Sequence, residues 1–509
     1  MDHRQISGSR LRKSALWLYH ESGVRSVHLT GRDAWFIILA RTCRMFAFGG
    51  ASLIMALFFA TLGFSDRQLG LFMTLTLAGE TVLSFVLTFI ADSIGRRRVF
   101  IGSGLLMSVS GLTFFYFENF WILLLAAVVG IISATGSDFG PFRAIEESVL
   151  SHLTSPETRA DVLSWYIVTS NLGSAAGIEV AGRVVEGLKS RHGWSERRIY
   201  HMIFAVYVVM GVVNMGFAFF MSDKCEIAKP AESMDDGTQA AQGLLSESDE
   251  ETEGEMAPAS TEPPVPQKKG LFSGISSATR SVMYKLWFLL TVDSLADGMV
   301  SYTLTNYYID RKFHLPKSQL GDYMSANYIL GGISSVFAGP LARHLGLVNT
   351  MVFTHLPSSV AVLLFPAPQG IVLTVILLLI RGGLNNMDQA PRAALIAAVV
   401  KPVERTAVMG ITNAFRTLAS TIGPSITGAL ADTDRFWIAY VAAGALRVAY
   451  DLGLWLMFVN MKLHTHEEGG QDSGRSRRVD DEEESIEMDD EEESVEMNPF
   501  KRQEEEHAS

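Results

Sequence analysis

Arg381, Asn385, Asp388 and Arg392 recur at intervals of four, three and four inside an apolar stretch spanning 370–400. Side chains three and four residues apart stack on one side of an α-helix, so the spacing predicts a single polar face. Guanidiniums on such a face can hold an anionic or zwitterionic solute, and a carboxylate beside them can bind and release a proton. Comparable groups lie in three other apolar stretches: Asp138, Arg143, Glu146 and Glu147 over 120–149, Asp293 and Asp297 over 283–309, and Arg41 and Arg44 over 35–62. Arg143 and Glu147 are four residues apart, the spacing of an intrahelical clamp. Paired carboxylates at Asp293 and Asp297 would tolerate a cation. Glu80 and Glu179 stand alone, with no obvious base near them in sequence.

The elements that must position these groups are membrane spans. A helix rises about 1.5 Å per residue and the hydrocarbon core is about 30 Å thick, so about twenty apolar residues cross it. Twelve stretches qualify, over 35–62, 69–91, 99–117, 120–149, 162–184 and 203–221, then 283–309, 320–345, 348–366, 370–400, 407–430 and 438–459. An ionisable group inside such a span costs about 2.5–3.5 kcal/mol on insertion scales, so it is retained against a partner or a watery cavity. The chain is 48% hydrophobic with a net charge of −12, which puts the apolar residues in the spans and the acid in loops and tails. Segment 224–270, rich in Ser, Glu, Asp and Pro, cannot bury enough apolar surface to order itself. The predicted fold is all-α, in five parts: an N-terminal segment 1–34, a six-helix bundle 35–222, a disordered acidic linker 223–280, a second six-helix bundle 281–461 and a disordered acidic tail 462–509.

The two bundles repeat each other. Laying Pro156-Glu157-Thr158-Arg159 on Pro402-Val403-Glu404-Arg405 brings Gly177 and Gly182 onto Gly423 and Gly428 without a gap, and Asp92-Ser93-Ile94-Gly95 overlays Arg343-His344-Leu345-Gly346. Parallel repeats of this kind build two-lobed carriers with a site between the lobes. The same register sets Glu146 opposite Arg392, where they either join in an ion pair or serve separate roles.

Three arginines, Arg96 to Arg98, follow the second span in the turn Asp92-Ser93-Ile94-Gly95. Basic residues before the first span and in alternate loops fall on that same side, which predicts that both termini are cytoplasmic. Asp92-x-x-Gly95-Arg96-Arg97, with the six-plus-six layout, resembles the cytoplasmic signature of the major facilitator superfamily. The resemblance implies a secondary carrier working by alternating access, with Asp92, Gly95, Arg96 and Arg97 as a gating latch. It also implies a cavity lined by spans one, four, seven and ten, hence by Arg41, Arg44, Asp138, Arg143, Glu146, Asp293, Asp297, Arg381, Asn385, Asp388 and Arg392. Two departures stand out: Thr88 replaces the leading glycine of the motif, and Arg343 replaces the aspartate in the second-half copy, so the full latch is expected only in the first half. The Gly-Pro of drug antiporters is missing from span five and occurs instead at Gly423-Pro424, and no sugar-porter loop signature is present.

No phosphate loop, zinc helix or nucleophile elbow is found, which excludes the common enzyme classes, and two cysteines give neither a disulfide framework nor a metal site. No cofactor and no nucleic-acid partner are expected. The expected partners are a small-molecule solute, protons and the lipid bilayer, with the chain a monomer in the plasma or vacuolar membrane. Ser233, Ser246, Ser248 and Thr252 carry acid three residues on, as in substrates of acidophilic kinases, which suits a eukaryotic chain, fungal or otherwise. A transport-inactive scaffold or sensor displaying acidic segments is the alternative function. The acidic tail repeats itself, Asp480 to Met488 followed by Asp489 to Met497, and its self-repulsion leaves it nothing to pack on. Removing the residues after His464 is therefore expected to leave transport unchanged; loss of flux in correctly delivered protein would show that the tail acts on the carrier.

Overall fold

The computed structural model describes residues 24–130, 132, 141–226, 277–400 and 404–459. A short helix α1 (Val24–Thr30) precedes the first lobe, which consists of α2 (Arg32–Thr61), α3 (Asp66–Ile94), α4 (Arg96–Tyr116), the pair α5 (Phe120–Gly130) and α6 (Pro141–Leu153), α7 (Pro156–His192) and α8 (Glu196–Phe220). The second lobe consists of α9 (Ser277–Met299) with α10 (Tyr302–Phe313), α11 (Lys317–Leu345), α12 (Leu347–Leu364), α13 (Ile371–Asn385) with α14 (Gln389–Val399), α15 (Arg405–Asp432) and α16 (Phe436–Phe458). Counting each pair as one span, the twelve expected spans are present. Among the described residues six helical segments, α2, α4, α8, α12, α16 and the stretch Ile371–Ile396, are long and apolar enough to cross a membrane. α7 and α15 instead carry rows of Ser, Thr, Asn and Gly, the small and polar residues that pack helix against helix in a bilayer.

Local chemistry sets the boundaries. Ser65 and Gln68 form a reciprocal capping box at the start of α3, and Ser155 caps α7 ahead of Pro156 at its first turn. Gly95 (φ 102°) and Gly346 (φ 84°) make the sharp turns between α3 and α4 and between α11 and α12. Span ten departs from the continuous helix expected over 370–400: it stops at Asn385 and restarts at Gln389. Pro391 explains the interruption. Its ring has no N–H for the carbonyl four residues back and clashes with it, whereas the first turn of a new helix accommodates it. Span seven is also interrupted, between Met299 and Tyr302.

The glycine overlay corresponds to equivalent packing in the two lobes. A Cβ at Gly177 would lie 1.8 Å from the Phe46 carbonyl oxygen of span one, and one at Gly423 would lie 2.4 Å from the backbone of Gly298 in span seven. At Gly182 it would lie 2.5 Å from the Lys317 carbonyl oxygen and at Gly428 2.5 Å from that of Asp66. Span five thus crosses span eight, and span eleven crosses span two, backbone against backbone.

These crossings join the lobes on the side remote from the termini. Polar contacts gather there: Tyr307 donates to Asp66 at 2.7 Å and Arg311 pairs with the same carboxylate, Arg183 reaches Asp322 at 3.0 Å, Thr74 bonds Ser425 at 2.7 Å, and Asn306 donates to the Ser52 carbonyl at 2.9 Å. Toward the termini no such crossing is seen among the described residues. Gly339 lies eighteen residues beyond Gly321, and Gly410 eighteen before Gly428. Eighteen residues are five helical turns, so each pair shares a face about 27 Å apart along its helix. A Cβ at Gly321 would meet the first lobe at 3.3 Å, whereas at Gly339 and Gly410 it would meet nothing within 4 Å among the described residues. The crossings close the two lobes against each other on the side remote from the termini. Gly428→Leu is expected to wedge the closed side open, raising labelling of a cysteine placed at Ser52 by an impermeant maleimide; unchanged labelling in folded protein would show that this crossing does not seal the lobes.

Candidate functional site

Each lobe holds its own buried charge cluster. In the first, Glu146 on α6 receives Arg44 bidentately at 2.9 and 2.8 Å, Arg41 at 3.4 Å and the Tyr166 hydroxyl at 2.7 Å. Arg41 also donates to Ser170 at 2.5 Å and stacks over the Tyr166 ring at 4.2 Å. The carboxylate is saturated and all three ionised groups are buried, so the cluster ties span four to spans one and five. The expected opposition of Glu146 and Arg392 is not realised as a pair: each is neutralised inside its own lobe. Arg143 and Glu147 do form the intrahelical clamp, at 2.7 Å, with both side chains 38% exposed. Asp138 lies outside the described residues.

The second lobe carries a larger network, laid over the interruptions in spans seven and ten. Arg392 pairs with Asp388, which occupies the N-cap position of α14. Arg381 donates to Thr305 at 2.9 Å and to the Val300 carbonyl, a backbone acceptor released by the break between α9 and α10, so it ties span ten to span seven. Asp297 accepts from Arg447 at 2.6 Å, and Asn385 accepts from the same guanidinium. Asp293, fully buried, has no hydrogen-bond partner among the described residues; His355 Nε2 lies 3.7 Å away and Arg392 3.9 Å away. His355 and Asp451 pair at 2.7 Å, and Ser359 donates to Asp451 at 2.6 Å. Arg416 donates to Ser294 at 3.2 Å and has no carboxylate within 4 Å among the described residues.

The sequence pattern identified Asp293, Asp297, Arg381, Asn385, Asp388 and Arg392, all of which join this one network, but it missed His355, Arg447 and Asp451. Arg447 and Asp451 are four residues apart, the spacing recognised in Arg143 and Glu147, and were available by the same signal. His355 offered none. Glu179 is not solitary: Arg183, one turn on, pairs with it.

The Gly95 turn is held within its own lobe. Glu226, just past α8, accepts from the backbone N–H groups of Arg96 at 2.7 Å and Arg97 at 3.0 Å, an acid at a helix N-terminus. Arg97 in turn donates to the Ala218 and Phe219 carbonyls and pairs with Asp223 at 3.4 Å. The Asp92 side chain lies outside the described residues. At Gly346, the counterpart turn, an added Cβ would meet nothing within 4 Å among the described residues.

Two six-span lobes related by an internal repeat, meeting through glycine crossings and holding buried charge beside interrupted spans, define a membrane transporter fold. The chain belongs to the Major Facilitator Superfamily, whose model matches residues 37–279 and 286–489. It is 31% identical over 433 residues to an uncharacterized membrane protein of Saccharomyces cerevisiae, covering 84% of this chain and 95% of the relative. Solved structures with the same fold include the nucleoside transporter NupG (TM-score 0.61, 12% identity, 85% of this chain and 100% of that one). A peptide transporter POT in complex with sulfate (TM-score 0.60, 13%, 84% and 94%) and a D-xylose-proton symporter (TM-score 0.60, 14%, 83% and 98%) also share it. The protein is thus a multi-pass integral membrane transporter for a small solute, in a family of carriers rather than enzymes.

Removing one partner of a buried pair strands the other charge. Arg44→Met is therefore expected to lower stability by about 3–5 kcal/mol, while Arg44→Met with Glu146→Leu recovers more than half of the loss. Thermal unfolding in detergent measures both, and a double variant no more stable than the single one would show that Glu146 needs Arg44 for more than charge balance.

Proposed function

We propose that the chain carries an anionic or zwitterionic small organic solute, coupled to protons, by alternating access. The observation that supports this best is the paired glycine faces, tight at one end and without a neighbour among the described residues five turns along, as expected of a cleft closed on the far side. The orientation expected from the basic loops puts both termini in the cytoplasm, of a cell bounded by a plasma membrane or containing a vacuole, and the mouth then faces that compartment. The half-exposed polar groups within the second-lobe spans include Asp297, Asn385, Asn386 and Arg416, and Gln389 is exposed. Arg381 and Arg416 have no carboxylate within 4 Å among the described residues, so they favour a solute with negative charge.

A transport-inactive scaffold would have no use for charge at this depth, since each ionised group adds to the cost of insertion. Arg381 serves the solute indirectly, by fixing the break in span seven beside Asp297, and Asp388 does so by holding Arg392. In vesicles with an imposed pH gradient, accumulation of a solute found by screening organic anions and zwitterions is expected to collapse when a protonophore is added. Asp388→Asn is expected to cut accumulation about tenfold, the effect of about 1.4 kcal/mol, while solute exchange persists. Flux indifferent to the gradient would remove the coupling, and no flux in folded protein would favour the scaffold.

A further inference from the structure

The hydrogen bonds at His355 fix its state. A guanidinium N–H can only donate, and Arg447 stands 2.7 Å from His355 Nε2, so that nitrogen presents a lone pair. Nδ1, 2.7 Å from an Asp451 oxygen, therefore carries the proton, and the imidazole is neutral. The surroundings are balanced around a neutral ring. Asp293 faces it from α9, Asp388 from span ten, and Arg447 and Asp451 from α16, where the Tyr450 ring also packs edge-on against it; Asp297, Arg392 and Arg416 stand one step further out, against Arg447, Asp388 and Asp293. With Arg381, four guanidiniums stand against the four carboxylates of Asp293, Asp297, Asp388 and Asp451. Yet Asp293 is left beside Nε2, at 3.7 Å, with both oxygens free of hydrogen bonds. A buried carboxylate without a donor is costly, and here the nearest atom that could supply one is a ring nitrogen that lacks only a proton.

We propose that His355 and Asp293 form a proton-binding site that Arg447 occupies when the proton is absent. A proton entering at Nε2 makes the imidazolium, displaces the Arg447 N–H from the ring and is directed at the Asp293 carboxylate; no covalent bond other than the new N–H is made or broken. Arg447 also holds Asn385, the last residue of α13, and Asp297, which is 37% exposed at the solute site. Protonation thus takes one acceptor from the guanidinium that joins the break in span ten to the cleft. The proposal rests on the proton-coupled reading, and deepens it by naming where the proton binds.

The test needs neither solute nor gradient. Full-length protein purified in detergent is titrated potentiometrically between pH 5 and 8, and His355→Gln is compared with wild type. Glutamine keeps a donor for Asp451 and an acceptor for Arg447 but cannot charge, so the variant is expected to keep its fold and bind about one proton fewer over this range. Asp293→Asn removes the receiving charge and is expected to move that same step to lower pH by about one unit or more. A His355→Gln curve identical to wild type, or an unmoved step in Asp293→Asn, would overturn the site even if flux proves gradient-driven. A proton step lost in the first variant and displaced in the second would uphold the site even if flux proves indifferent to the gradient.

Discussion

Ionised groups buried in an apolar bundle must be neutralised at contact distance, and that constraint organises both lobes. Charge taken out of water costs several kcal/mol per ion even after relaxation, so a guanidinium or carboxylate survives only where geometry supplies an opposite charge or a hydrogen-bonding partner within a few ångströms, as Thr305 and the Val300 carbonyl do for Arg381. In the first lobe this produces a compact knot around Glu146, closed by Arg44, Arg41 and Tyr166. In the second it produces a spread network in which Arg447 alone touches Asp297, His355 and Asn385 from three other spans. The difference assigns different duties. A saturated knot is rigid, whereas a shared guanidinium has more than one arrangement open to it.

The interruptions of spans seven and ten belong to the same account. Breaking a helix in a membrane strands backbone groups that have no water to turn to, and they are tolerated only where protein supplies partners. Arg381 does this for the Val300 carbonyl, and Asp388 sits in the turn that Pro391 imposes. The broken spans thus carry ionised side chains at their interruptions, and there the same residues satisfy freed backbone and neutralise charge.

Much of this was legible in the sequence because its signals are local. About twenty apolar residues define a span whatever surrounds them, and four-residue spacing defines the Arg143 to Glu147 clamp. The glycine overlay carried further, since Gly182 and Gly428 do prove to cross the opposite lobe. The continuous polar face over 370–400 was misread by weighing side-chain period above Pro391, whose backbone consequence prevails. The partners of Glu146 were out of reach, because Arg44 lies 102 residues away along the chain and only packing brings it near. His355 was missed for a related reason: a lone histidine in an apolar stretch is uninformative until span twelve supplies Arg447 and Asp451 beside it.

The glycine crossings between spans two and eleven and between spans five and eight have a kinetic meaning. Where long side chains interlock, separating two surfaces requires many torsions to leave their wells together and settle again on return. Backbone laid on backbone has no such torsions to reset, so these surfaces can part and rejoin as nearly rigid bodies. If the lobes rock as in the alternating-access cycle proposed above, the activation cost falls mainly on the small number of polar ties at the rim, such as Arg311 to Asp66 and Arg183 to Asp322. The stiffness of the carrier is thereby set at its edge rather than at its pivot.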